Sequence, residues 1–178
     1  YPSDSSRAPA IPDAGRSDSS MIEVAEKNLF WLRVHTTGKK IHGSLAPEGI
    51  NAFVAASEMA VEIYNLKDTF NSINDIFEPP VSTISPTKKE ANVLNINTIP
   101  GDDVFYVDCR ILPETGIDPV FAAIKNIASD AEKKYGVKVD FEVVQKEPSP
   151  PTPSDSRIVG MIQTAVKMVY GINSLPEG

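Results

Sequence analysis

Val104-Phe105-Tyr106-Val107-Asp108-Cys109-Arg110-Ile111-Leu112 is the clearest strand in the chain, and the fold is read outward from it. Aromatic and β-branched residues dominate it, and Asp108 and Arg110 stand two apart, which places both on one face of a pleated strand. Just upstream, Ile99-Pro100-Gly101-Asp102-Asp103 has the residue chemistry of a tight turn. The strand is therefore one arm of a hairpin. Val93–Thr98 reads as the better second arm, with Val81–Ser85 as a further candidate start of a strand. Downstream, a helix is expected from Pro119 to Tyr135. Asp118 is its candidate N-cap, and Pro119 at the first position has no donor to lose. Val120, Phe121, Ile124, Ile127, Ala128 and Ala131 form its apolar stripe, and Gly136 ends it. Val137–Val144 then alternates Val and Phe with Lys, Asp and Glu, as a half-buried strand does.

Upstream of the hairpin, Leu29–Thr37 is a further β-rich run. Ile50, Phe53, Met59, Ala60, Ile63 and Tyr64 approximate a helical period between Ile50 and Leu66. The order is thus β-α-β-β-α-β. It predicts an α+β, ferredoxin-like sandwich: a four-stranded antiparallel sheet with two helices on one face. The other face and one edge strand are left available.

The flanks differ in character. Residues 1–20 are rich in Ser, Pro, Asp and Ala and read as a loop or tail. Lys146-Glu147-Pro148-Ser149-Pro150-Pro151-Thr152-Pro153 reads as an extended linker. Ser154 or Asp155 then caps an expected helix from Ser156 to Tyr170, with Ile158, Ile162, Ala165, Val166 and Val169 on one side. That helix belongs to no βαββαβ unit and looks like the start of another domain.

Composition excludes several functions. A net charge of -7 argues against broad binding to nucleic acid or an anionic membrane, since both need a basic face. No apolar run approaches the ~20 residues of a membrane span. The lone Cys109 rules out an internal disulfide and fits a reducing, cytoplasmic setting. The chain begins at Tyr1, which reads as a fragment or processed form, and its polar start has no leader pattern.

Three places could carry chemistry. His42 lies among glycines in Gly38-Lys39-Lys40-Ile41-His42-Gly43-Ser44, at a strand–helix junction where it can reach a ligand. Spacing alone favours a surface histidine without a role. His35 falls inside a strand and reads as structural or solvent-facing. Asn97 precedes Ile99-Pro100-Gly101, and Arg110 lies late in the hairpin partner; an Arg fork takes a carboxylate in bidentate fashion, and a nearby Asn can add an amide contact. The plain alternative is a same-face Asp108–Arg110 ion pair. Asp13, in Ile11-Pro12-Asp13-Ala14-Gly15, is by itself no metal signal. With two histidines and one cysteine in all, the chain offers no convincing zinc site of its own.

Taken together, the motifs resemble the M20 family of metallopeptidases and amidohydrolases. Pro12-Asp13-Ala14-Gly15, then Ile22 to Asn28 and Trp31, resembles the junction at which the catalytic domain gives way to an inserted dimerisation, or lid, domain. Gly38, His42-Gly43-Ser44, Pro47, Gly49 and Asn51-Ala52 resemble the start of that lid. Asn92, Asn95, Asn97-Thr98-Ile99-Pro100-Gly101 and Asp108-Cys109-Arg110-Ile111-Leu112-Pro113 resemble its central hairpin. The nearest flavour is succinyl-diaminopimelate desuccinylase or acetylornithine deacetylase.

The resemblance implies a dinuclear zinc (or cobalt) enzyme that hydrolyses the amide bond of N-acyl amino acids or small peptides and is a homodimer through its lid. His42 matches the lid histidine that reaches in from the partner subunit to stabilise the oxyanion. Arg110 and Asn97 match residues that hold the substrate carboxylate and amide, and Asp13 matches a zinc ligand. The division implied is 1–27 as tail and catalytic remnant, 28–147 as lid, and 148–178 as linker and returning catalytic domain. The remaining metal ligands would lie outside the chain, so this piece alone is expected to hold no metal and to be inactive. The competing expectation is a stand-alone ferredoxin-like regulatory or oligomerisation module. An RNA reader of that fold would need a basic surface and aromatics on one face, whereas Phe105 and Tyr106 point to opposite faces.

Overall fold

In chain order the computed structural model, which describes residues 20–178, runs β1 (Met21–Glu23), β2 (Asn28–Thr37), β3 (Ile41–His42), α1 (Ala52–Asn65), β4 (Thr83–Lys89), β5 (Thr98–Ile99), β6 (Asp102–Ile111), α2 (Ile117–Tyr135), β7 (Lys138–Glu147), α3 (Arg157–Tyr170) and β8 (Leu175–Glu177). Two compact units result. One takes the chain through Glu26, Asp75–Pro80 and Pro150–Gly178. The other takes Lys27–Asn74 and Val81–Ser149.

The larger unit is the ferredoxin-like sandwich. Its sheet has the order β4-β6-β2-β7, with every neighbouring pair antiparallel. Strand β6 therefore inserts between β2 and β4, and β2 between β6 and β7, which makes two interlocked split βαβ units. Period-two alternation supplies the core. Phe30, Leu32 and Val34 of β2 and Phe105, Val107, Cys109 and Ile111 of β6 point to the helix side. They pack on Ala56, Met59 and Ile63 of α1 and on Val120, Ile124, Ala128 and Ala131 of α2. Leu32 is fully buried. The opposite face carries Trp31, Arg33 and His35 of β2 and Tyr106, Asp108 and Arg110 of β6, and stays largely polar.

Three local expectations are corrected. The arm that pairs with β6 on its outer side is Thr83–Lys89, not Val93–Thr98. Only Thr98–Ile99 of the latter run is strand, while Leu94 and Ile96 are fully exposed. Alternating apolar residues there gave a strand pattern without a sheet to pair with. The true strand was obscured by Pro86, which an edge strand tolerates because its ladder is needed on one side only; the register slips between Pro86 and Lys88. Helix α2 also starts earlier than Pro119. Gly116, with φ of 70°, is its N-cap, and Asp118 lies in its first turn, where a carboxylate suits the helix dipole. At the third helix, Ser156 stands at the N-cap position rather than Ser154 or Asp155.

The smaller unit joins the chain's two flanks. β1 and β8 pair in parallel, Met21 opposite Leu175. Val24 O accepts from Thr152 N at 2.7 Å, and Ile76 O accepts from Gly178 N at 2.7 Å. Ile22, Val24 and Val159 form a small core with Ile76. Val159 is the one buried residue of α3, whose Ile158, Met161, Met168, Val169 and Tyr170 are exposed. Among the described residues no helix is long and apolar enough to cross a membrane.

Candidate functional site

The loop that follows β2 is closed by backbone contacts that leave no room for side chains. A Cβ on Gly38 would stand 2.2 Å from Ile50 O, and one on Gly101 would stand 2.6 Å from Lys40 N. Gly38 N donates to Gly101 O at 2.7 Å, and Lys39 and Ile50 exchange bonds of 2.9 and 3.1 Å. These contacts set β3 against β5, with Ile41 opposite Ile99 and His42 opposite Thr98. Gly43 N donates to Asn97 O at 2.6 Å, and Ala52 N to Pro100 O at 3.0 Å. Asn51 then caps α1, accepting from Phe53 N at 3.0 Å and from Val54 N at 3.3 Å.

This frame brings His42 and Asn97 together. His42 Nε2 lies 3.3 Å from the Asn97 amide Nδ2. On the other side of the ring, Nδ1 accepts from Ser44 N at 3.2 Å and stands 2.8 Å from Ser44 Oγ. A backbone N–H can only donate, so Nδ1 is the acceptor and the proton of the neutral ring stands on Nε2. The Asn97 amide then turns its oxygen to that N–H, since the two amide ends are interchangeable by a flip. That N–H is then taken up by the amide oxygen; a ligand oxygen that displaced this contact would meet the ring N–H and, with the amide turned back, a second N–H. Two such donors at one point suit a developing oxyanion.

Arg110 is not beside this pair. It pairs across the sheet with Leu29 and Thr83, whereas Thr37 and Asp102 meet at the end that leads to His42. At about 3.4 Å per residue, the run from Asp102 to Arg110 covers about 27 Å. The expected neighbourhood of Asn97 and Arg110 is therefore not formed within one chain, because Arg110 is late in β6 and Asn97 precedes its start. Arg110 instead donates from Nε to Asp108 Oδ1 at 2.9 Å and from one terminal nitrogen to Oδ2 at 3.4 Å. That is the same-face ion pair read from the alternation. Its guanidinium carbon is 5.9 Å from the centre of the Trp31 ring. About half of the Arg110 side chain is exposed, and one edge of its fork is free of Asp108.

The remaining candidates fall differently. His35 Nε2 is 3.0 Å from Asp102 Oδ1, a half-exposed strand pair. Asp13 lies outside the described residues. Among the described residues no group of three or more His, Cys, Asp or Glu could hold a metal ion. Burial, and secondarily the Asp108 charge, pushes the Cys109 thiol up to about 12, so it is no nucleophile. Ser44 and Asp103 were not singled out in the sequence. Ser44 fixes the ring of His42 through a turn that only the fold reveals. Asp103 did carry a signal: a carboxylate in phase with the inward-facing Phe105, Val107 and Cys109.

Known proteins resemble this chain in sequence and fold. The peptidase dimerisation domain of the M20 peptidases matches residues 24–136. An uncharacterized metallohydrolase of Methanococcus maripaludis is 34% identical over 179 residues, which cover 93% of this chain and 43% of that protein. The chain thus spans under half the length of that relative. The crystal structure of aminopeptidase PepT from Bacillus cereus superposes with a TM-score of 0.72 at 19% identity, over 90% of this chain and 40% of the other. A hydantoinase/carbamoylase family amidase from Burkholderia ambifaria does so with a TM-score of 0.65 at 20% identity, over 86% and 36%. These two likenesses are of fold.

Proposed function

Because the chain belongs to the M20 peptidase family through its dimerisation domain, we propose that it is the lid-bearing part of a metal-dependent amidohydrolase that works as a homodimer. The larger unit, 28–147 by the motif boundaries, is the lid. Residues 1–27 and 148–178 belong to the catalytic domain, which the rest of the protein completes. Two features support this division. A two-stranded parallel sheet is not stable by itself, because parallel strands need cover on both faces. The exposed apolar side of α3 also calls for a partner layer.

The observation that carries the reading is the His42–Asn97 pair, with Ser44 holding Nδ1 so that Nε2–H faces the exposed Asn97 amide. In the reaction proposed here, a water attacks the carbonyl carbon of an N-acyl amino acid or small peptide. His42 and Asn97 donate to the oxygen as it gains charge, and Arg110 takes the substrate carboxylate. The described residues do not furnish a metal site, so the two zinc (or cobalt) ions are held elsewhere in the protein, with Asp13 as a candidate ligand, and no step is derived through them here. The succinyl-diaminopimelate desuccinylase or acetylornithine deacetylase subtype, in a cytoplasmic setting, is the more specific form of the proposal.

The about 27 Å of strand between Arg110 and the His42 end is too long for one small substrate to bridge. In a two-fold dimer His42 and Asn97 therefore serve the partner's active site, while Arg110 serves its own. The edge strand β4 and α1, with the groove of about 450 Å³ between them lined by Phe53, Ala60, Pro86 and Lys89, form the isologous interface.

Subunit complementation in the full-length enzyme tests this directly. His42→Ala and Arg110→Ala homodimers should each be nearly inactive on an N-succinyl or N-acetyl amino acid. Mixed dimers should recover about half of the wild-type sites, because one site of each mixed dimer keeps both residues. No recovery in a mixed dimer of proven composition would refute the trans arrangement. A His42→Ala loss of about 10²-fold or more in kcat with unchanged metal content fits oxyanion stabilisation; a loss of metal would refute that role.

A further inference from the structure

Asn97 sits at the end of a stretch with little to hold it. Residues 90–97 join β4 to β5, and their Leu94 and Ile96 side chains are fully exposed, so no core packing fixes the path. At the far end the stretch is tied by Gly43 N donating to Asn97 O. At the near end Glu90 is held on β6, its N donating to Val104 O at 2.9 Å and its Oε1 accepting from the Tyr106 hydroxyl at 2.7 Å, and the residues after it are tied by Asp103. That carboxylate, on the second residue of β6, is 1% exposed and points into the sandwich. Its Oδ2 accepts from Asn92 Nδ2 at 2.7 Å. Its Oδ1 lies 3.0 Å from Lys89 Nζ, at the last residue of β4, as an ion pair without hydrogen-bond geometry. Lys89 Nζ in turn lies 4.2 Å from the centre of the Phe53 ring at the start of α1. A buried carboxylate is costly unless paired and hydrogen-bonded, and both groups that compensate this one belong to the end of β4 and the loop leading to Asn97.

We propose that Asp103 and Asn92 are positioning residues that set the path of the 90–97 loop, so that Asn97 meets His42 in the geometry needed for the oxyanion. This rests on the reading of His42 and Asn97 given above. Neither Asp103 nor Asn92 touches the substrate. A residue that acts only through Asn97 has no effect on kcat once Asn97 is gone, whereas one that merely stabilises the fold acts regardless.

The test is a double-mutant cycle in the full-length enzyme with Asn92→Ala and Asn97→Ala. Asn92 is a half-buried loop residue, so its truncation leaves the apolar core intact but takes one hydrogen bond from the buried Asp103. The expected result is a fall in kcat of about tenfold for Asn92→Ala with KM changed by less than about twofold, a lowered thermal midpoint in both backgrounds, and no further fall in kcat when Asn92→Ala is added to Asn97→Ala. Asn92→Asp, which sets a second carboxylate against Asp103, should lower kcat further by the same route. An Asn92→Ala effect on kcat of equal size in both backgrounds overturns the proposal, as does an unchanged kcat when Asn97→Ala itself lowers it. An unchanged kcat in Asn97→Ala alone overturns the reading of Asn97 and this inference with it.

Discussion

Replacing Gly38 by alanine and Gly160 by alanine adds the same methyl group and should move stability in opposite directions. At Gly38 the new Cβ would stand 2.2 Å from Ile50 O and 3.1 Å from Ile50 C. Both are backbone atoms, so no side-chain rotation relieves the clash, and the Lys39–Ile50 bridge has to open. That bridge consists of the 2.9 and 3.1 Å bonds. At about 1 kcal/mol net for each, the loss is about 2 kcal/mol, or a fall of about 6 °C in thermal midpoint for a protein of this size. Because the same bridge fixes β3, the substitution also displaces His42 and should lower kcat in the full-length enzyme. At Gly160, inside α3, a Cβ meets nothing within 4 Å. Alanine there restricts the unfolded chain and favours helix, for a gain of up to about 1 kcal/mol. Thermal unfolding followed by circular dichroism on the two variants reads both effects. A Gly38→Ala midpoint within about 1 °C of the parent would refute the argument from close approach.

Other perturbations follow from the same contacts. Leu32→Ala empties a fully buried position at the centre of the sheet and should cost about 3 kcal/mol in chemical denaturation; a loss below about 1 kcal/mol would mean that the site collapses around the cavity. Asn51→Ala removes the acceptor for Phe53 N and Val54 N and should cost about 1 kcal/mol, whereas Asn51→Ser should retain most of the cap; equal losses in the two would argue against capping. Cys109 should resist thiol reagents in the native state and react only as the protein unfolds. Its thiol is raised from 9.0 to about 12 in the fold, so its contribution is present below pH 9 and is lost as pH climbs from 9 toward 12. Cys109→Ala should flatten that decline, and a parallel decline in the variant would show that burial of the thiol is not its source.

Much of the architecture was legible because alternation and helical period are local properties of the chain. The first and last sandwich strands in chain order, β2 and β7, and both sandwich helices lie close to where their apolar patterns put them, and the core faces of β2 and β6 follow from period two. The Asp108–Arg110 pair was legible for the same reason. The second sandwich strand was legible only in part, as the start of a strand at Val81–Ser85 that overlaps Thr83–Lys89. Val93–Thr98 carries the better apolar pattern, but a strand exists only where a partner's hydrogen bonds are free. The sheet takes Thr83–Lys89, proline included, at its edge.

The sequence by itself determined which residue types meet the core, and His42, Asn97 and Arg110 stood out in it only through their match to M20 motifs, since spacing alone favoured plain surface roles for them. The tertiary structure decided which of them lie together. His42 and Asn97 are 55 positions apart in the chain, yet two short strands place them in contact. Asn97 and Arg110 are far nearer in sequence, yet the extended path of β6 holds them apart. Pairing between distant segments depends on which backbone groups remain unsatisfied after the whole sheet has formed, and no local pattern encodes that.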